Sequence, residues 1–180
     1  METNKPSSNN YLVFNQIIFY VLLSGLLLFA VFVAYIQSYI PISAELADYK
    51  EMILATVIVF CFGEIMLGRF IFRKKLEPLI NKETKLKIKL ETYRMAMIVN
   101  YALIESAAIF AMIFYLLTAY APLFVIAGLL ILYLILIRPG KESLINDLKL
   151  DGDEIARLEN PDKDWKDGHT INPDSGNFDS

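Results

Sequence analysis

Long uninterrupted apolar stretches are the feature that most constrains what this chain can fold into. Four of them occur, over about residues 11–39, 52–72, 95–118 and 122–138. A helix rises about 1.5 Å per residue, so roughly 20 residues cross the ~30 Å hydrocarbon core of a bilayer. None of the stretches alternates apolar and polar residues as membrane strands do. The sequence therefore predicts an all-α membrane protein, a four-transmembrane-helix bundle.

Composition agrees with a membrane protein and narrows its chemistry. Hydrophobic residues make up 56% of the chain, against about 45–50% in soluble proteins. The fourth stretch is short and depends on Pro122 and Tyr120 lying in the interface. The single cysteine, Cys61, excludes an intramolecular disulfide, and the single histidine, His169, lies outside the apolar stretches, which excludes a haem ligated by histidines from the spans. We expect no cofactor.

The distribution of lysine and arginine predicts the orientation. The loop of residues 73–94 carries eight basic and three acidic residues, whereas the loop between the first two spans carries only Lys50. Because cytoplasmic loops of membrane proteins are rich in lysine and arginine, this loop and both termini are predicted to be cytoplasmic. Pro78 predicts a break after span two, and the residues from 81 onward predict a helix that leads into span three. The alternation in KLKIKLE leaves a local strand open as an alternative.

The two ends of the chain are polar and differ in charge. Residues 1–10 are expected to form a disordered cytoplasmic tail. Residues 139–180 carry eleven acidic and five basic residues, an acidic cytoplasmic tail that would repel nucleic acid. Its first part predicts short cytoplasmic helices: 141–150 has an apolar face, and Asp151 with Glu154 resembles a capping box. Disorder is expected after about residue 161, and the tail could fold back onto the basic loop.

Glu105 is the leading candidate for a functional residue. It lies about ten residues, roughly 15 Å, into the third stretch, near the expected bilayer centre, where a charged carboxylate is costly. Tyr101, one turn before it, could donate a hydrogen bond to it. Small residues surround it and favour close helix packing, namely Ala102, Ser106, Ala107, Ala108 and Ala111. Glu105 is therefore either a proton or cation site or a neutral acid that joins helices by hydrogen bonds.

Glu64 is expected at a similar depth on the antiparallel second span. If the two faces meet, both carboxyls share one apolar site and cannot both ionise there. Gly63 and Gly68, with Gly25 in span one, are interpreted as close-packing points. Basic residues near the cytoplasmic boundary are predicted to contact anionic lipid headgroups: Arg69, Arg73, Lys74, Lys75 and Arg94.

Two resemblances arise from the third span. The pattern of Tyr93-Arg94, then ALIESAAIF, then LLT ending at Thr118, then Arg138-Pro139-Gly140-Lys141-Glu142, resembles an uncharacterised family of small bacterial four-span membrane proteins. That resemblance implies a bacterial inner-membrane location and no known activity. ALIESAAIF is also similar to the carboxylate helix of ATP-synthase proteolipid subunits, which implies a proton-carrying role for Glu105.

Three classes of function remain open from sequence. The first is a non-enzymatic scaffold or accessory subunit, acting with a second copy or another membrane protein. The second is a proton- or cation-linked transport component that uses Glu105 with Glu64. The third, a lipid-modifying enzyme, is disfavoured because the sequence contains no nucleophile motif, metal-ligand set or histidine–acid pair.

Overall fold

A computed structural model describes residues 8–40, 48–80, 86–152, 154 and 155. These residues contain five helices: α1 Ser8–Gln37, α2 Lys50–Ile80, α3 Leu86–Thr118, α4 Ala121–Leu136 and α5 Lys141–Leu148. The described parts of the chain contain no strand, so the all-helical prediction is confirmed for them. In the KLKIKLE segment, the residues from Leu86 onward are helical. The local strand that the alternation left open is therefore not formed there.

Three helices are long and apolar enough to cross a membrane: Val13–Gln37 of α1, Lys50–Leu79 of α2, and α3. The chain is accordingly a helical membrane protein. Helix α4 has only 16 residues, fewer than the roughly 20 that a span needs. It is long enough to cross a membrane only if it is counted together with α5, and the two helices meet at a bend of 80°. Helix length and composition therefore give three candidate spans, and a fourth only if α4 and α5 form one bent span.

Helix α3 is the centre of the bundle, and α2 and α4 pack against it in antiparallel orientation. On the α2 side, the ring of Phe72 meets that of Tyr93, and the ring of Phe60 meets that of Phe110. On the α4 side, Tyr115 meets Phe124 near the two-residue connection between the helices. Because rising numbers on α3 pair with falling numbers on α2 and α4, both neighbours run opposite to α3.

Helix α1 runs parallel to α3. The Arg94 guanidinium lies over the Phe14 ring, 5.5 Å from its centroid, and the Phe19 ring meets the Tyr101 ring at 5.5 Å. Direction therefore alternates from α1 to α4, as in an up-down-up-down bundle. Helices α1 and α3 begin, and α2 ends, at one end of the bundle, which we call the basic end. The other end is called the opposite end.

Small residues allow the neighbours to approach α3 closely. Ala96, Ala107, Ala108 and Ala111 are all completely buried. The close approach of α2 is at Gly68, where an added Cβ would lie 2.5 Å from the Asn100 Oδ1 atom. The expectation that Gly63 and Gly25 are also close-packing points is wrong, because a Cβ at either would meet nothing within 4 Å.

Helices α2 and α3 both extend beyond their apolar stretches at the basic end. Helix α2 continues through Pro78 to Ile80 instead of breaking there. Proline has no N–H to bond the carbonyl four residues earlier, and its ring crowds that carbonyl. In agreement with this, α2 ends only two residues after Pro78. Helix α3 begins at Leu86, more than two turns before residue 95, in agreement with the expected extension. Helix α5 buries Leu144 and Leu148, which confirms its predicted apolar face.

Candidate functional site

Glu105 lies one helical turn beyond Tyr101 on α3, counted from the basic end. Tyr101 is level with the end of α4, because its hydroxyl donates to the Ile137 carbonyl at 3.0 Å, and Arg138 follows directly. Gly68 is level with Asn100, which puts Arg69 at that depth too. Glu105 is four residues from Tyr101, about 6 Å along the helix. The depth of Glu105 in the bilayer stays a prediction.

Tyr101 is not the hydrogen-bond partner of Glu105. Side chains of a helix lean toward its N-terminus, so the Tyr101 hydroxyl points away from Glu105 toward the basic end. There it satisfies the Ile137 carbonyl, one of the carbonyls that the end of a helix leaves without an intrahelical partner. Tyr101 is buried, and its bond holds the end of α4 on α3. The residue is therefore structural in this arrangement.

None of the described helices covers one face of α3. Helix α2 covers Asn100 and Phe110, and α1 covers Tyr101. We call the remaining stripe the open face, and its members are all exposed: Met95, Ala102, Ser106, Ile113 and Leu117. The Ser106 hydroxyl donates to the Leu103 carbonyl at 2.8 Å, so its polarity is satisfied within the helix.

The two intramembrane acids border the open face from opposite sides. Glu105, partly buried, adjoins Ala102 and Ser106 on the side that faces α1. Glu64 lies on α2, one turn nearer the basic end than Phe60, whose ring meets Phe110 at 4.2 Å. That register places Glu64 level with Ser106. The two acids therefore share a depth, as expected from sequence, but α3 lies between them and no hydrogen bond joins their side chains.

Glu64 carries an unusual buried atom. Its Oε2 atom is inaccessible to solvent and has no hydrogen-bond partner within the described residues. An unpaired buried polar atom costs about 1–3 kcal/mol, so a hydrogen bond gained at this position would stabilise the protein. Glu64 on one side and Glu105 on the other therefore give the open face polar borders along an otherwise apolar, small-residue surface.

The five residues predicted to contact lipid headgroups all belong to the half of the bundle at the basic end, but their surroundings differ. The Arg69 Nε atom donates to the Tyr133 hydroxyl of α4 at 3.2 Å, and Lys74 lies over the Phe70 ring. Arg73 is exposed. Lys75 and Arg94 line a cavity of about 420 Å³ together with Glu91, Thr92 and Met95. Their contact with lipid headgroups stays a prediction.

Comparison of the chain with family models, curated proteins and solved structures gave no match. The two resemblances drawn from the third span are therefore untested, and the function is inferred from the residues of this chain alone.

The C-terminal segment docks on the first turns of α3, through residues that sequence analysis had not singled out. Lys89 is buried, and its Nζ lies 2.7 Å from the Glu154 Oε1. The Tyr93 hydroxyl donates to Asp147 of α5 at 3.1 Å. Burial raises the pKa of Asp147, although the Tyr93 hydrogen bond opposes that shift. The fold-back of the acidic tail is thus confirmed for its described part.

The hydrogen bond expected for a capping box at Asp151 and Glu154 is present in the structure. The Asp151 backbone N–H donates to the Glu154 Oε2 at 3.2 Å, as expected when the third residue of a helix reaches back to its start. The same carboxylate holds Lys89 through its other oxygen. Glu154 therefore joins the local turn to α3. The second helix predicted after it lies largely outside the described residues.

Replacing Lys89 with alanine is expected to release this segment. The ion pair is shielded, with side chains 10% and 18% exposed, and losing a hydrogen bond to a charged group costs about 1.5–3 kcal/mol. A spin label on exposed Asn146 should become more mobile in Lys89→Ala and stay unchanged in the exposed control Lys87→Ala. Equal mobility in both variants would show that the pair does not hold the segment.

Proposed function

We propose that the chain is a four-span protein of the bacterial inner membrane with both termini in the cytoplasm. Helix α4 supports the fourth span, since it runs antiparallel to α3 from Phe124 to the level of Tyr101 and covers the same depth as its neighbours. Its 16 residues extend about 24 Å. One interfacial residue at each end adds to this length and brings it closer to the ~30 Å thickness of the hydrocarbon core. The accumulation of basic residues at one end supports the orientation.

Within that membrane we propose a non-enzymatic function, a scaffold or accessory subunit that packs a further transmembrane helix onto the open face of α3. The observation that carries this proposal is the exposure of Ala102 and Ser106 on the helix around which the bundle is built. Small residues on a membrane helix permit close approach of another helix. A second copy of the chain is the simplest occupant, because most oligomers are symmetric assemblies of one chain.

The partly exposed acid Glu105 favours a helix over lipid as the occupant. Its side chain lies beside the exposed Ser106 at the border of the open face. Acyl chains offer carboxyl groups no hydrogen bond, whereas a helix can supply one from a polar side chain. Such interhelical bonds contribute roughly 0.6–2 kcal/mol each.

Two substitutions of Glu105 test this function. Glu105→Gln keeps the shape and the hydrogen-bonding capacity but cannot titrate, and Glu105→Leu removes both. Energy transfer between labelled copies in liposomes should persist in Glu105→Gln and weaken about tenfold in Glu105→Leu, the equivalent of ~1.4 kcal/mol. Unchanged association in Glu105→Leu would remove the acid from the interface.

Proton- or cation-linked transport is the second candidate, and the unpaired Glu64 oxygen is the observation that favours it. This function predicts that Glu105→Gln or Glu64→Gln folds and assembles but abolishes pH-dependent flux into liposomes. Full flux in both variants would eliminate the candidate. If the unsubstituted protein associates in liposomes but shows no flux, the scaffold function is favoured.

A further inference from the structure

We propose that a cavity between α1 and the α4–α5 turn binds the headgroup of an anionic phospholipid. The cavity has a volume of about 190 Å³, a size suited to a phosphate with part of its glycerol. It lies on a different side of the bundle from the open face of α3, so this inference is independent of the proposed scaffold function. The cavity is lined by Gln16, Phe19, Tyr20, Arg138, Pro139 and Gly140.

The lining has the chemistry of an anion site. Arg138 is exposed and makes no ion pair with any carboxylate in the part of the chain that the structure describes. Its planar guanidinium carries five N–H donors and binds phosphate in a bidentate manner. The Gln16 amide and the Tyr20 hydroxyl add neutral donors. Among the described residues, no acidic side chain lines this cavity, whereas the cavity at Lys75 and Arg94 includes Glu91.

The fold fixes the position of Arg138 at the basic end of the bundle. Phe19 in the cavity wall packs on Tyr101, and Tyr101 bonds the carbonyl of the residue before Arg138. The buried Pro139 follows, and the chain then bends by 80° from α4 into α5. Arg138 therefore sits at the corner where an apolar helix meets a polar one.

The surfaces beside the cavity explain why the anion is a lipid and not free phosphate. Helix α1 presents exposed apolar side chains next to Gln16, namely Val13, Ile17 and Tyr20. Helix α4 ends at the cavity with an exposed stripe of Val125, Leu129, Leu132 and Leu136. Acyl chains attached to a bound headgroup would lie along these surfaces and leave water, whereas a soluble anion would gain nothing from them.

Lipid titration of the full chain in neutral detergent tests the proposal. Phosphatidylglycerol should raise the thermal unfolding midpoint, and phosphatidylcholine and inorganic phosphate should not. In Arg138→Gln, the phosphatidylglycerol concentration for half-maximal shift should rise about tenfold, as expected for one lost charge-assisted hydrogen bond. The matched control Lys87→Gln removes one exposed charge at the same end and should leave that concentration unchanged.

Three outcomes would overturn the proposal. Equal shifts with phosphatidylcholine would show that the headgroup charge is not recognised. An equal shift with inorganic phosphate would indicate a soluble-anion site. Equal weakening in Arg138→Gln and Lys87→Gln would indicate diffuse attraction to the basic end. If Arg138→Gln does not fold, Gln16→Ala replaces it: a several-fold weakening supports the site, and an unchanged titration rejects it.

Discussion

Gly68→Leu is expected to destabilise the bundle strongly, because it forces α2 away from α3. The new side chain would begin 2.5 Å from the Asn100 side chain and 3.6 Å from that of Leu103, at the close approach of the two helices. Asn100 can rotate away from one added carbon, but four added carbons would push the helices apart. Overpacking of this kind costs about 1–3 kcal/mol or more, measured as a lower thermal unfolding midpoint in detergent.

Gly63→Leu is the matched control on the same helix, because nothing lies within 4 Å of an added Cβ there. It should leave the midpoint unchanged or raise it slightly, since glycine is a poor helix former. If the two variants were equally stable, the register of α2 against α3 would be wrong.

Ala102→Leu is expected to weaken association between copies without disturbing the fold of one copy. Ala102 is exposed on the open face, so a larger side chain meets nothing within its own bundle. At a helix–helix contact, however, it would hold the partner away, at a cost of about 1–3 kcal/mol. Energy transfer between labelled copies in liposomes should then require at least about tenfold more protein per lipid.

Ala55→Leu is the control for Ala102→Leu. Ala55 is also an exposed alanine, but it lies on α2 and away from the open face. Association should be unaffected there. A loss of association in both variants would indicate nonspecific effects of added bulk, and a loss in neither would place the contact between copies elsewhere.

The helices could be predicted from sequence because bilayer thickness leaves few alternatives for long apolar stretches. The extension of α3 before the membrane and the apolar face of α5 also followed from residue spacing. The continuation of α2 for two residues beyond Pro78 did not follow from spacing, because it depends on the burial of Leu76 and Leu79 in the bundle. Helix α4 is as short as its sequence suggested, so the fourth span stays a proposal.

The candidate site could be predicted only in part. The shared depth of Glu64 and Glu105 follows from counting residues, but the faces that the two acids occupy depend on how α1, α2 and α4 distribute around α3. Ala102 and Ala108 look equivalent in sequence, yet one is exposed and the other completely buried. Lys89 and Arg138 could not be separated from the other basic residues, because their distinct roles come from the fold of the C-terminal segment.

Disulfide cross-linking at Ser106 tests the central claim, that the open face of α3 packs against a second copy. In a Cys61→Ala background, Ser106→Cys puts one thiol on that face, and a disulfide forms only where Cα atoms come within about 4.4–6.8 Å. Mild oxidation in native membranes should yield a covalent dimer from Ser106→Cys and none from Ala55→Cys on α2. Monomer alone from Ser106→Cys, or equal dimer from both positions, would contradict the account.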